Sequence, residues 1–285
     1  MLIYINPNNC ACSESVVKVE SIQLLNAGKD STICSETMLT LGKPSVAGYT
    51  YLWNNESLVL NKDSAQTGFV STNANSSNED VEMVLTTSKG ACESKDTIVI
   101  TLYPGLSVEM ADTMELCGGG NVIVGGIAQG GVGRVKNYLW TPADSLDRTN
   151  RALTLAYPSV DTKYFVNIWD DNNCSINDST FVRVNQNPVA SFTVNDTCEK
   201  SLVRFTNTTT TAALLDSFFW DLGSAEQNTT NALAIYDSSQ SVNIKLFVQD
   251  VLGCKDSITQ ILEIYPNPRA AFRLSDGCIF DSLNF

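Results

Sequence analysis

Apolar and polar residues alternate along most of this chain in short runs that end at turn-forming residues. Leu39 and Leu41 stand two apart, as do Val122 and Val124, Val203 and Phe205, and Leu283 and Phe285. A spacing of two places both side chains on one face of a strand. After the first three pairs comes an aromatic strand ending in tryptophan: Tyr51-Leu52-Trp53, Tyr138-Leu139-Trp140 and Phe218-Phe219-Trp220. Farther on, a turn (Lys89-Gly90-Ala91, Asp171-Asn172-Asn173, Leu252-Gly253) leads into a closing strand that stops before Pro104, Pro188 or Pro266. Proline there ends pairing and stiffens the junction. Ala212 to Leu215 has noticeable helix propensity but is too short to matter. The pattern predicts an all-β chain of tandem antiparallel β-sandwiches.

The cysteines share this period. Cys34 and Cys92 are 58 residues apart, Cys117 and Cys174 are 57, and Cys198 and Cys254 are 56; the gaps between these pairs are 25 and 24. The spacing predicts a repeat of about 82 residues with one disulfide in each unit, Cys34–Cys92, Cys117–Cys174 and Cys198–Cys254. Bonds between units would overturn that organisation. The first cysteine precedes the apolar core positions by five residues, so it is expected to staple the sandwich at one end. Trp53, Trp140 and Trp220 are expected in the core.

On this register, residues 1–20 read as the last hairpin of a preceding unit. Units follow at 21–104, 105–188 and 189–268, and 269–285 opens another. The chain is therefore expected to be a window from a longer array, with the partners of Cys10 and Cys278 outside it and none assigned to Cys12. The start lacks the basic flank and long apolar core of a signal peptide.

Composition narrows the chemistry. The 285 residues include no histidine, which removes Ser-His-Asp and Cys-His nucleophilic pairs and imidazole metal ligands. The net charge of -13 argues against binding a nucleic-acid backbone. No apolar run approaches membrane-spanning length, so membrane insertion is not expected. Nine cysteines without paired C-x2-C knuckles point to disulfides in an oxidising compartment rather than zinc. The glycines at 118–120, 125–126 and 130–131 lack the lysine and helix of a phosphate loop.

Tyr138-Leu139-Trp140-Thr141-Pro142-Ala143-Asp144-Ser145-Leu146, with Pro158, Tyr164-Phe165-Val166 and Asp171-Asn172-Asn173-Cys174, resembles the tandem Ig-like and PKD-type modules of large secreted Bacteroidota surface proteins. These include gliding-motility adhesins exported by the type IX system. Phe219-Trp220-Asp221-Leu222-Gly223 is nearer the PKD pattern, departing from it at Ser224-Ala225. The resemblance implies Ig-like/PKD-like sandwiches arranged as a rod, and a non-enzymatic extracellular segment of a cell-surface adhesin. Its partners would be neighbouring repeats and, in adhesion, surface glycans or other cell-surface proteins.

Three further readings concern sites. Ser31, Ser64, Thr97, Thr113, Ser145, Ser179, Ser257 and Ser282 each follow Asp, which resembles the O-glycosylation acceptor pattern of such proteins; Asp-Ser/Thr also simply opens strands after turns. Asp170 and Asp171 offer hard oxygen ligands for calcium, although Asp and Asn are also ordinary hairpin residues. Carbohydrate-binding modules, or an accessory stalk of a secreted hydrolase, are the alternative function. Exposed aromatics for a glycan would come from Trp169, Tyr157 and Tyr236.

Overall fold

The computed structural model of the protein describes residues 26–133 and 136–271. The end segments read as partial units lie outside the described residues wholly or in large part. Cys10, Cys12, Cys278 and Ser282 also lie outside them.

Six strands cover residues up to 103: β1 (Ser31–Cys34), β2 (Leu39–Gly42), β3 (Thr50–Trp53), β4 (Gln66–Phe69), β5 (Glu79–Lys89) and β6 (Cys92–Tyr103). They pair as a four-stranded sheet, β1-β6-β5-β3, and a two-stranded sheet, β2-β4. Alternate residues of both sheets turn inward. Leu41, Trp53, Phe69, Met83, Leu85, Ile98, Ile100 and Leu102 form one buried cluster.

The next set is β7 (Leu106–Ser107), β8 (Thr113–Cys117), β9 (Val122–Gly125), β10 (Gln129–Gly130), β11 (Asn137–Thr141), β12 (Leu153–Ala156), β13 (Thr162–Trp169) and β14 (Ser175–Asn185). The sheet order is β11-β13-β14-β8, with β12-β9 and a small β10-β7 pair. The last set is β15 (Phe192–Asn195), β16 (Leu202–Asn207), β17 (Leu215–Asp221), β18 (Glu226–Gln227), β19 (Ala232–Ile235), β20 (Gln240–Asp250) and β21 (Lys255–Ile264). Here β15-β16-β19 and β18-β17-β20-β21 enclose a core in which Phe192 and Phe205 lie 5.3 and 5.9 Å from the Trp220 ring.

The architecture is all-β, in successive Ig-like two-sheet sets. Pairing is not uniformly antiparallel, however. β1 runs parallel to β6, and β8 parallel to β14. Each joins the far side of the closing strand as a sheet edge, and period-two alternation carries no signal for strand direction.

By internal contacts the chain forms two compact units. One comprises the described residues up to Val108 with Ala128–Asn137 and Ile168–Ile176; the other comprises Glu109–Ile127, Tyr138–Asn167 and the described residues from Asn177. Residues of the middle repeat thus fall to both units. The hairpin around Cys174 falls in the first unit, which also holds its disulfide partner Cys34.

Candidate functional site

The disulfides are the first place where the residues do more than fill a core. The last strand of each repeat begins at or just after its second cysteine: Cys92 opens β6, Cys174 precedes β14 and Cys254 precedes β21. The first cysteine stands at the opposite end of that strand. Cys34 faces Tyr103, Cys117 faces Asn185 and Cys198 faces Tyr265, all in parallel register. After each first cysteine the chain makes the same turn: its carbonyl accepts from the third amide on, Thr37 at 3.2 Å, Gly120 at 2.8 Å and Ser201 at 3.3 Å.

The expected pairs Cys34–Cys92, Cys117–Cys174 and Cys198–Cys254 are therefore corrected. The closing strand of the first repeat has 12 residues, and it holds Cys34 and Cys92 about 36 Å apart at ~3.3 Å per residue. Disulfide Cα atoms must come within about 7 Å. The bonds run instead from the first cysteine of one repeat to the second cysteine of the next. Cys34–Cys174 has its Cα atoms 5.5 Å apart and Cys117–Cys254 has them 5.4 Å apart, across sequence separations of 140 and 137. Cys92 and Cys198 are free thiols. One bond per repeat gives way to bonds that tie repeats together.

The two bonded second cysteines sit in the same hairpin. Asp170 Oδ1 accepts from the amides of Asn172 (2.9 Å) and Cys174 (3.0 Å), and Asp250 Oδ1 from those of Leu252 and Cys254 (3.0 and 2.8 Å). Each Asp amide donates to the carbonyl of its cysteine, at 3.0 and 2.9 Å. The residue before the cysteine takes the left-handed conformation, Asn173 at φ 63° and Gly253 at φ 83°, which Asn and Gly tolerate best. The sequence signal for this hairpin is Asp four residues before Cys. Repeat 1 has Ser88 at that place and closes β5 onto β6 through Gly90-Ala91, so Cys92 is exposed.

This hairpin also removes the calcium reading. Asp170 is 1% exposed, and its other oxygen, Oδ2, accepts from the Val132 amide at 2.7 Å. Its oxygens hold backbone amides rather than facing an ion, and Asp171 is left as an exposed side chain. Among the described residues no group of three or more acidic or cysteine side chains could hold a metal ion.

Trp53, Trp140 and Trp220 are buried, and each indole N–H donates to a loop carbonyl, Ser64, Arg151 or Thr229, at 2.8–2.9 Å. Two glycines make room for them. A Cβ on Gly42 would collide with the Ala65 carbonyl and crowd Trp53; one on Gly125 would collide with the Ala152 carbonyl and crowd Trp140.

Of the three aromatics considered for a glycan, one is buried. Tyr236 is 2% exposed, within the third core, and donates to the Leu222 carbonyl at 2.9 Å, so it is withdrawn as a glycan contact. Burial also pushes its phenol above the ordinary range. Trp169 is half-buried, and Tyr157 is about half exposed. Of the Asp-Ser/Thr hydroxyls, Thr97, Thr113 and Ser257 are exposed; Ser31, Ser64, Ser145 and Ser179 are partly so. Ser31 and Ser64 already donate to the carbonyls of Lys29 (2.9 Å) and Gln66 (2.7 Å). A cleft beside the Cys34–Cys174 bond is lined by Ser35, Glu36, Thr37, Pro104 and Asn173, with Glu36 its one free ionisable side chain.

No protein-family model and no curated protein sequence matches the chain. Among solved structures it is similar to the PKD1 domain of Vibrio anguillarum Epp, at 22% identity over 29% of this chain and 99% of that one, with a TM-score of 0.28. It is also similar to the N-terminal eight Ig domains of Down syndrome cell adhesion molecule, at 14% identity over 89% of this chain and 38% of that one, with a TM-score of 0.45. Extracellular domains 3–5 of Drosophila OTK match at 11% identity over 87% and 99% of the two chains, with a TM-score of 0.35. Among the described residues no helix is long and apolar enough to cross a membrane.

Proposed function

We propose that this chain is a non-enzymatic, extracellular, load-bearing segment of a bacterial cell-surface adhesin of the type IX-exported kind its sequence resembles. The observation that carries the reading is the register of the bonds, each joining one repeat to the next. Disulfides persist in oxidising compartments, which fits a position outside the cell. The acidic surface keeps neighbouring segments from associating. O-glycosylation at the exposed Asp-Ser/Thr hydroxyls belongs to the same proposal, and an intact mass equal to the bare polypeptide, measured on protein from its native host, removes it.

The mechanical consequence is specific. Cys34 and Cys254 are 220 residues apart, but with both bonds closed the covalent path between them shortens to the 57 residues from Cys117 to Cys174. At ~3.6 Å per residue the maximum extension falls from about 790 Å to about 205 Å. Single-molecule pulling from the two ends of the chain tests this. The maximum end-to-end extension is expected to rise by about 585 Å on reduction; an extension indifferent to reductant overturns the load-bearing reading.

A further inference from the structure

The two disulfide-bearing hairpins differ at one atom. Asp170 and Asp250 use Oδ1 alike, but Asp170 Oδ2 also accepts from the Val132 amide at 2.7 Å. In Asp250, likewise 1% exposed, Oδ2 has no hydrogen-bond partner among the described residues. A buried carboxylate oxygen left so is costly, and the loop packed against the hairpin shows where its donor went.

Val132 stands eight residues before Trp140, and Ala212 stands eight before Trp220. Strand pairing keeps the same register: Gly130 pairs with Leu106 ahead of the one loop, and Thr210 with Val189 ahead of the other. Gly131 and Gly133 flank Val132 in the left-handed conformation, at φ 63° and 79°. A Cβ on Gly131 would lie 2.9 Å from Asp170 Oδ2 and press on Leu106, and one on Gly133 would strike the Asp171 carboxylate. The third repeat has Thr211 and Ala213 at these places, neither of them left-handed. Its loop is turned another way. The Ala213 amide donates to the Thr211 hydroxyl at 3.2 Å, and Ala212 is exposed, its amide meeting no acceptor among the described residues. The loop still lies on the hairpin, since the Val251 amide donates to the Leu214 carbonyl at 2.9 Å and Leu215 pairs with Asp250. An unpaired donor and an unpaired buried acceptor thus stand on touching segments.

We infer that residues 210–214 form an open strap on the Asp250–Cys254 hairpin, whose closed position puts the Ala212 amide on Asp250 Oδ2 as Val132 sits on Asp170. Thr211 and Ala213 hold it open, because closure asks both for the left-handed conformation that side chains disfavour. The open strap leaves this hairpin less firmly held than its counterpart, and with it Cys254, which carries the bond to Cys117. The hairpin of the second bond is therefore the one that opens locally, while the hairpin of Cys174 stays clamped. The inference rests on the two hairpins and stands apart from the adhesive reading.

Hydrogen exchange on the whole oxidised chain tests this, read on peptides spanning 170–174 and 250–254 and corrected for intrinsic rates. The amides of Leu252 and Cys254 are expected to exchange about tenfold faster than those of Asn172 and Cys174, the worth of one hydrogen bond. Thr211→Gly with Ala213→Gly frees the strap to close. The pair should slow exchange at 250–254 by a similar factor without slowing the strand amides of 244–248. Asp250→Asn keeps Oδ1 for the two hairpin amides and replaces Oδ2 with an NH2 group, which cannot accept; there the glycine pair should slow nothing. Equal exchange in the two parent hairpins, glycines that leave 250–254 unchanged, or a slowing that survives Asp250→Asn overturns the inference.

Discussion

Cys34 faces Tyr103, the last residue of β6, in parallel register, and Cys92 is the first residue of that same strand. An extended strand thus separates the two cysteines of one repeat. Each first cysteine is carried to a repeat end, and at Cys34 and Cys117 the cysteine of a hairpin in the next repeat bonds it there. The same arrangement recurs at Cys117 and Asn185. The fold thereby turns a within-repeat spacing into a between-repeat bond.

Peptide mapping without reductant is expected to return Cys34–Cys174 and Cys117–Cys254. Closing a loop of 137 residues stabilises by about 5 kcal/mol on the loop-entropy estimate. C117S, C254S and the double variant should therefore lose similar stability in urea unfolding, because one bond is lost in all three. Losses that add in the double variant would count against the pair.

Gly125 and Gly90 separate two costs of a side chain. Both have positive φ, 117° and 60°. Around Gly90 a Cβ meets nothing within 4 Å, so Gly90→Ala should cost only the left-handed backbone penalty of about 1–2 kcal/mol. At Gly125 the Cβ would also strike the Ala152 carbonyl and press on Trp140, so Gly125→Ala should cost clearly more and shift tryptophan fluorescence. Equal midpoints in urea for the two variants would contradict the packing described.

Much of this fold was legible because strand alternation and the tryptophan register both repeat in the sequence. Trp53, Trp140 and Trp220 could be placed in the core from position alone. The bonds were not legible, since cysteine spacing measures distance along the chain and not the end of a strand at which each cysteine stands. Cys92 and Cys34 fit a loop of plausible length and are still held about 36 Å apart. Asp170 was legible as a turn residue, but its two oxygens are committed to amides that include Val132, 38 residues away in sequence. Tyr236 has the composition of a glycan contact, and only the third core shows that it is buried.

The hairpin carboxylates should behave as structural groups. Asp250→Ala strips acceptors from the Leu252 and Cys254 amides, and Asp170→Ala does the same for Asn172, Cys174 and Val132. Leaving buried donors unpaired costs about 1–3 kcal/mol each. Both variants should lower the melting temperature, while added calcium or a chelator leaves the parent chain's melting temperature unchanged. A rise in melting temperature with calcium that Asp170→Ala abolishes would restore a metal site there.

Asp147 supplies a pH test on an exposed loop. Its Oδ1 accepts from the Thr154 hydroxyl and the Leu155 amide, both at 2.7 Å, and these bonds, the hydroxyl foremost, hold its carboxyl below the ordinary aspartate range. A lowered folded pKa means that the unfolded chain takes up the proton first as pH falls. The stabilisation is therefore complete above the ordinary aspartate value and is lost as pH drops below it through the folded value. Thr154→Val keeps the buried shape but removes the hydroxyl donor. The Asp147 titration, followed by carboxyl NMR, should move up toward the ordinary range in this variant. The stability gap between Thr154→Val and the parent should narrow as acid is added across that window. A gap that widens on acidification, or a titration that stays put, would show that the hydroxyl does not hold the carboxylate.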